Sequence, residues 1–352
     1  MRNLVTVRRI SDLSPIPDAD LIEVATIDGW KVVTGKNQFK LSDYCLYFEV
    51  DSFLPIDPRF EFLRKGCFRT DSLGKGGFLL KTIKLRGQVS QGLILPLSDF
   101  PELEGKSDSK DSPKYADFAE LLGVTKWDPP IPAELAGEVE GPIPSVIKYT
   151  DQERIQNLPH YFSLYEDEEF EGTIKIDGSS ATYYILDGHF GVCGHNWEYK
   201  ESTDNSIWRV ARNAKVEEAL RAYFSLRGKN IALQGEIYGE GIQKNNERIH
   251  GQDVAIFDIW NIDESRYMTP EERTDALETL WDKGLLLKHV PFLGLFKPFK
   301  EHPTMENLLA FADGPSLNKN SRREGIVYKS SKLFQGQTVS FKTISNKYLL
   351  NA

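Results

Sequence analysis

The sequence predicts an α+β protein: an N-terminal OB-type β-barrel, then a larger domain of antiparallel sheets flanked by helices. Three observations predict it. Short β-branched and aromatic runs fill residues 1–98, prolines crowd the stretch after them, and beyond residue 150 strands and helices mix without regular alternation.

The barrel rests on the runs Leu4–Val7, Leu21–Ile27, Trp30–Thr34, Tyr44–Val50, Phe78–Leu85 and Gly92–Leu95. Turn residues separate them, among them Pro15-Ile16-Pro17-Asp18, Asp28-Gly29 and the stretch from Gly74 to Gly77. Pro96 closes the last run, because proline cannot donate to a ladder. An OB-type barrel suits this pattern and commonly binds nucleic-acid strands; an SH3-like barrel would give nearly the same runs.

Residues 99–145 read as a connector. Ser107–Lys114 is polar, and a short helix is expected over about Tyr115–Leu122. Pro129-Pro130-Ile131-Pro132 and Pro142-Ile143-Pro144 make the rest of the connector stiff and extended. The second domain is expected over residues 146–352. Thr150 with Glu153 reads as a capping box that opens a helix ended by Pro159. Strands are expected at Gly172–Ile176, Ala181–Leu186, Val192–Gly194, Ile231–Tyr238, Val254–Trp260, Gly325–Lys329 and Thr338–Thr343. Helices are expected at Ile207–Phe224 and Pro270–Leu280, the latter capped by Thr269 with Glu272.

Composition excludes several classes. No run of 18 apolar residues exists to span a membrane, and the start MRNLVTVRRISDLSP lacks a signal-peptide apolar region. Three cysteines without metal-type spacing cannot all pair, which fits a soluble, reducing, intracellular setting. The net charge of −9 argues against nonspecific coating of nucleic acid, though not against a local basic groove. Glu166-Asp167-Glu168-Glu169 reads as a solvated loop rather than a metal site.

Chemistry concentrates in Thr173-Ile174-Lys175-Ile176-Asp177-Gly178. An apolar strand delivers a lysine, then an acid on the same face, then a glycine that lets the backbone turn near a phosphate. A lysine held dry and near other cations has a lowered pKa and an exposed lone pair. Alone this is weak, since average usage gives roughly an 8% chance of Lys-x-Asp-Gly in a chain this long. Further segments appear in order along the chain. Gln234-Gly235-Glu236-Ile237-Tyr238-Gly239 sets an acid between glycines, suited to a ribose hydroxyl. Phe257-Asp258-Ile259 interrupts an apolar strand and offers an aromatic face for a purine. Glu324-Gly325-Ile326-Val327-Tyr328-Lys329 places an acid at a strand entrance, suited to a metal, and Ser340-Phe341-Lys342 a lysine suited to a phosphate.

This ordered set resembles motifs I, III, IIIa, IV and V of the covalent nucleotidyltransferases, which include ATP-dependent DNA ligases, RNA ligases and mRNA capping enzymes. The match covers roughly residues 150–350. An OB-type domain before the lysine resembles the fifth, nick-sealing RNA ligase family; in DNA ligases and capping enzymes that domain comes after motif V. The Thr150–Asn157 segment resembles the helix before motif I in RNA ligases.

The resemblance implies an ATP-grasp-like nucleotidyltransferase domain that uses ATP and Mg2+, with Mn2+ as a substitute. It implies that Lys175 forms lysyl–AMP, Glu236 holds the ribose and Phe257 stacks on adenine. Asp177 and Glu324 would engage metal, Lys342 the α-phosphate and Arg154 the β- and γ-phosphates. Ile174 and Asn196 join the ATP-binding set, with Gly178, His195, Lys329 and Lys347 as further candidates. Two departures stand out. His195 occupies the place where relatives carry an arginine that touches the ribose. Ser340 stands where motif V often has a first lysine, leaving Lys329 or Lys347 to support Lys342. The implied partner is RNA, a nicked duplex, with no membrane and no obligate protein partner. A DNA ligase, a capping guanylyltransferase and a non-catalytic nucleic-acid-binding protein are the alternatives.

Overall fold

The computed structural model describes residues 3–71, 73–104, 116–127 and 137–351. The chain divides into two compact units, residues 1–132 with 349–352, and residues 133–348.

In the first unit, Tyr44–Phe48 pairs antiparallel with both Val5–Arg9 and Leu93–Pro96. This strand is apolar without alternation because both faces are covered. Leu46 and Phe48 pack with Leu54, Phe60 and Phe78, while Cys45 and Tyr47 pack with Trp30, Val32 and Ile94. A meander of Asp12–Pro15, Ile22–Ile27 and Trp30–Gly35 covers the second cluster. Its expected turn is a two-residue hairpin loop, with Asp28 at φ 47° and Gly29 at φ 82°. The run Phe78–Leu85 is two strands rather than one. Gly76–Leu79 stays with Ser52–Leu54 and Phe68–Thr70, whereas Thr82–Leu85 leaves to form a hairpin with Gln88–Gln91.

The helix expected over Tyr115–Leu122 is absent in its described part. Residues 119–123 make a single turn, which Gly123 closes at φ 65°. The Asp117 carboxylate instead accepts from Val5 and Ala119 amides, tying this segment to the first strand. Ser107–Lys114, Tyr115 and the prolines at 129, 130 and 132 lie outside the described residues. All three cysteines are free.

The second unit is built on two sheets. The larger orders Val139–Pro142, Trp197–Tyr199, His189–Cys193, Ser179–Leu186, Ile231–Gly239, Gln252–Asn261 and Arg266–Tyr267, with Lys288–His289 added in parallel. The smaller orders Phe292–Phe296, Phe170–Lys175, Gly325–Phe334 and Gln337–Ile344, all antiparallel. Val139–Pro142, within the stretch expected as connector, thus belongs to the large sheet.

Helices cover the large sheet. The span expected as one helix, Ile207–Phe224, is two, Ser206–Asn213 and Val216–Arg227, broken at Lys215 with φ 53°. Ala211 and Val216 are both buried in one core, yet five positions on a straight helix would set them about 140° apart. The break brings both inward. The helix Pro270–Trp281 starts with the expected capping box of Thr269 and Glu272.

The helix expected from Thr150 does not form. Residues 151–154 are extended, and the Lys342 amide donates to the Glu153 carbonyl beside an Arg154–Lys342 bridge. Thr150 bonds the Ser180 hydroxyl at 2.7 Å rather than capping. Only Ile155–Asn157 winds, as a short 3-10 turn. Pairing with the edge of the small sheet satisfies the backbone groups that a helix would have paired internally.

Arg273 of the Pro270–Trp281 helix is fully buried and donates to both Glu171 carboxylate oxygens, at 2.5 and 2.7 Å, joining helix to small sheet. Glu171→Gln leaves a buried guanidinium without its counter-charge, and should cost about 3–5 kcal/mol in urea unfolding. A loss under about 1 kcal/mol would show that water reaches this pair.

Candidate active site

Lys175 ends the central strand of the small sheet, and a few residues later Ser179 begins a strand of the large one. The Lys175–Gly178 segment is therefore the crossing between the sheets. Gly178 does not have a positive φ; it is required by close approach, since a Cβ there would lie 2.3 Å from the Ile237 carbonyl oxygen. Gly325, opposite Lys175, is pressed in the same way against the Thr343 carbonyl.

These crossings gather charge. Glu324, next to Gly325, accepts from Lys175 Nζ at 2.7 Å. Glu236 comes from the large sheet, where it pairs in register with Ser180. Tyr348 donates a hydrogen bond to Asp177. Burial pulls the Lys175 amine down, but Glu324, Glu236 and Asp177 outweigh it, so its pKa stands above the ordinary lysine range. This corrects the expected lowering: the three anions beside the amine outweigh both its burial and the nearby Lys342. Burial pushes the Glu236 carboxyl up to about 7, with Lys175 opposing and Glu324 and Asp177 adding. Burial also raises Asp177. Lys342 goes the other way, down to about 8, through burial and the charges of Lys175 and Arg154.

A cleft opens beside Lys175. Ile174, Phe257, Val290 and Val327 form its apolar wall, and Glu236, Lys342, Ser180 and His195 line it with polar groups. Phe257 owes its direction to a β-bulge. Gln234 pairs with Asp258 and Gly235 with Ile256, so Phe257 is the extra residue. Val254, Ile256 and Ile259 keep to the helix-covered core, while Phe257 packs with Ala255, Ile174 and Val290.

Arg154 lies next to Lys342 through their bridge. His195 stands in the wall, with Nε2 3.8 Å from Asp151. Three candidates are elsewhere. Lys329 is buried behind Phe257, paired with Asp258 at 3.0 Å, bonded to the Phe257 carbonyl and 5.6 Å from its ring. Lys347 pairs with Asp313 at 3.0 Å. Asn196 is not among the cleft residues; its carbonyl accepts from Ile143. Motif reading missed Thr150, Asp151 and Gln152, which reach the cleft because their segment is extended, and Tyr348 in the tail.

Among the described residues, no three acidic, histidine or cysteine side chains form a ready metal cage. The donors present still fit a divalent ion. Asp177, Glu236 and Glu324 are hard oxygen ligands, and after burial the neighbouring carboxylate charges add to the raised pKa values of Asp177 and Glu236. Mg2+ typically takes one or two carboxylates and completes its shell with water and phosphate oxygens.

Known proteins share this architecture. A family model described as RNA ligase matches residues 168–344, and one described as an OB-fold domain matches residues 4–97. Three solved structures of Naegleria gruberi RNA ligase are similar to the chain. A variant with AMP and Mn is 44% identical, with TM-score 0.81, covering 100% of this chain and 99% of that one. The ligase with pyrophosphate is 45% identical, with TM-score 0.80 and the same coverage. A variant with ATP and Mn is 45% identical, with TM-score 0.80, covering 99% of each. Comparison with curated proteins returned no match.

The charge cluster has a stability signature. The folded pKa of Glu236 lies above its unfolded value, so ionising it opposes folding above pH 7 and the penalty fades as pH falls toward 4.5. Glu236→Gln should raise the melting temperature at pH 8, by a margin that shrinks toward pH 4.5. An equal effect at both pH values would contradict the assignment.

Proposed function

The chain belongs to the RNA ligase family, and from that premise we propose that it seals 3′-hydroxyl/5′-phosphate nicks in duplex RNA or RNA/DNA through an adenylylated Lys175. The observation that carries this reading is the convergence on one cleft of Lys175, Glu236, Lys342 and Phe257, with Glu324 and Asp177 acting on the Lys175 amine from beside it. The chain is an ATP-dependent ligase with a divalent metal cofactor, as similar structures with ATP, AMP and Mn support.

Adenine lies against Phe257 and the apolar wall, and Glu236 takes a ribose hydroxyl. Lys342, its pKa held down to about 8 by its surroundings, is favoured in its charged form as the α-phosphate arrives beside it. Arg154, next to it, receives the outer phosphates. Once Lys175 has given up a proton, to Glu324 at 2.7 Å or to water, its neutral amine attacks the α-phosphorus in line: the N–P bond forms, the bond to the bridging oxygen breaks, and pyrophosphate leaves. Such transfer depends on positioning and charge neutralisation. Asp177 and Glu324 would hold a divalent cation, which would supply charge that offsets these carboxylates and lowers the Lys175 pKa. A 5′-phosphate oxygen of the RNA then takes the AMP and frees the amine. Finally the 3′-hydroxyl attacks the 5′-phosphorus and AMP departs.

The barrel supports the RNA-gripping part of this reading. Between Asp71 and Asp99 the sequence carries Lys75, Lys81, Lys84 and Arg86, while its next acid is Asp99 itself, so this is a local basic stretch in an acidic chain. Lys81 and Arg86 are exposed beside the Thr82–Leu85 hairpin. An intracellular setting suits such a substrate, and among the described residues no helix is long and apolar enough to cross a membrane.

Lys175→Ala should abolish covalent labelling by ATP carrying a radioactive α-phosphate; persistent label in that variant would refute Lys175 as nucleophile. Reversing Lys81 and Arg86 to Glu should weaken RNA binding and lower its salt slope by roughly one per lost phosphate contact, while ATP labelling continues. Unchanged RNA affinity and slope would remove this hairpin from the interface.

A further inference from the structure

The cleft holds a side chain that belongs to none of the motifs. Gln152 lines it together with Phe257. Its amide is held from two sides: the Ser340 hydroxyl donates to Oε1, and Nε2 donates to the Asp258 carboxylate at 3.5 Å. Asp258 is itself paired with Lys329. A carboxylate only accepts, so turning the amide over would set its oxygen against Asp258. The orientation is therefore fixed by chemistry, with one N–H and one oxygen lone pair left over.

That remainder complements adenine. A Gln amide pairs with an adenine edge by accepting from the 6-amino group and donating to the neighbouring ring nitrogen. Guanine and hypoxanthine carry an oxygen at position 6, which would face the Gln152 oxygen with no hydrogen between them. We propose that Gln152 is the specificity-determining residue that selects adenine over 6-oxopurines, with Ser340 as the positioning residue that locks its amide. The proposal rests on the reading of the cleft as an ATP site. It also gives a role to the serine that stands where motif V often has a lysine.

The test compares covalent labelling of the full chain by ATP and by ITP, which differ at the 6-position. The wild-type chain should favour ATP by roughly 5- to 150-fold, the discrimination expected of one bidentate base contact. Gln152→Met should bring the ratio near unity, chiefly by slowing ATP. Ser340→Ala should lower the ratio part of the way, and Ser340→Thr should keep it. Where labelling is too slow, the difference in thermal stabilisation by AMP and IMP reads the same selectivity. Equal slowing of both nucleotides in Gln152→Met, with the ratio unchanged, would overturn the proposal and leave the ligase reading standing. A wild-type chain that labels with neither nucleotide would overturn both.

Discussion

The site depends on a single electrostatic arrangement: one lysine held among three carboxylates at the crossing between two sheets. Lys175 arrives on the small sheet, Glu324 on its neighbour, Glu236 on the large sheet and Asp177 on the crossing itself. Close approach enforces the convergence. Gly178 and Gly325 lie where any side chain would meet backbone carbonyls, so the strands carrying Glu236 and Glu324 stay in contact with the crossing. Without ligand the lysine is protonated and the acids are over-concentrated. The cluster is thus arranged for additional positive charge and a phosphate, and less well arranged for the empty protein. Sites that store such unfavourable charge tend to trade stability for activity.

The same logic connects the cleft to the surrounding fold. Lys342 is destabilised as a cation near Lys175 and Arg154, and an incoming phosphate would relieve it. Behind Phe257, the buried Lys329–Asp258 pair braces the bulge and lends one carboxylate to Gln152. Lys329 is therefore engaged behind Phe257 with Asp258. Each charged group has a partner whose removal leaves a specific imbalance, and this is why individual substitutions give distinguishable outcomes.

Much of this was legible in the sequence. The ordered motifs, read through the family resemblance, pointed to Lys175, Glu236, Phe257, Glu324 and Lys342, and the fold brings these residues together. The Asp28-Gly29 turn and the Thr269–Glu272 box were legible because local chemistry alone decides them. Features set by tertiary contacts were not. The capping pattern at Thr150 lost to strand pairing with Lys342, and that extension brought Gln152 into the cleft. The β-bulge at Phe257 leaves no mark in an apolar run. The direction of the Lys175 shift depends on which side chains converge, and an expectation built on neighbouring cations had the wrong sign.

Site mapping of the covalent adduct tests the central claim most directly. The full chain is incubated with ATP and Mg2+, digested under conditions that spare the acid-labile P–N bond, and sequenced by mass spectrometry. AMP attached to Lys175 and to no other residue is the predicted result. An adduct on Lys342, Lys329 or elsewhere, or none despite release of pyrophosphate, would contradict a nucleophile assembled at the crossing of the two sheets.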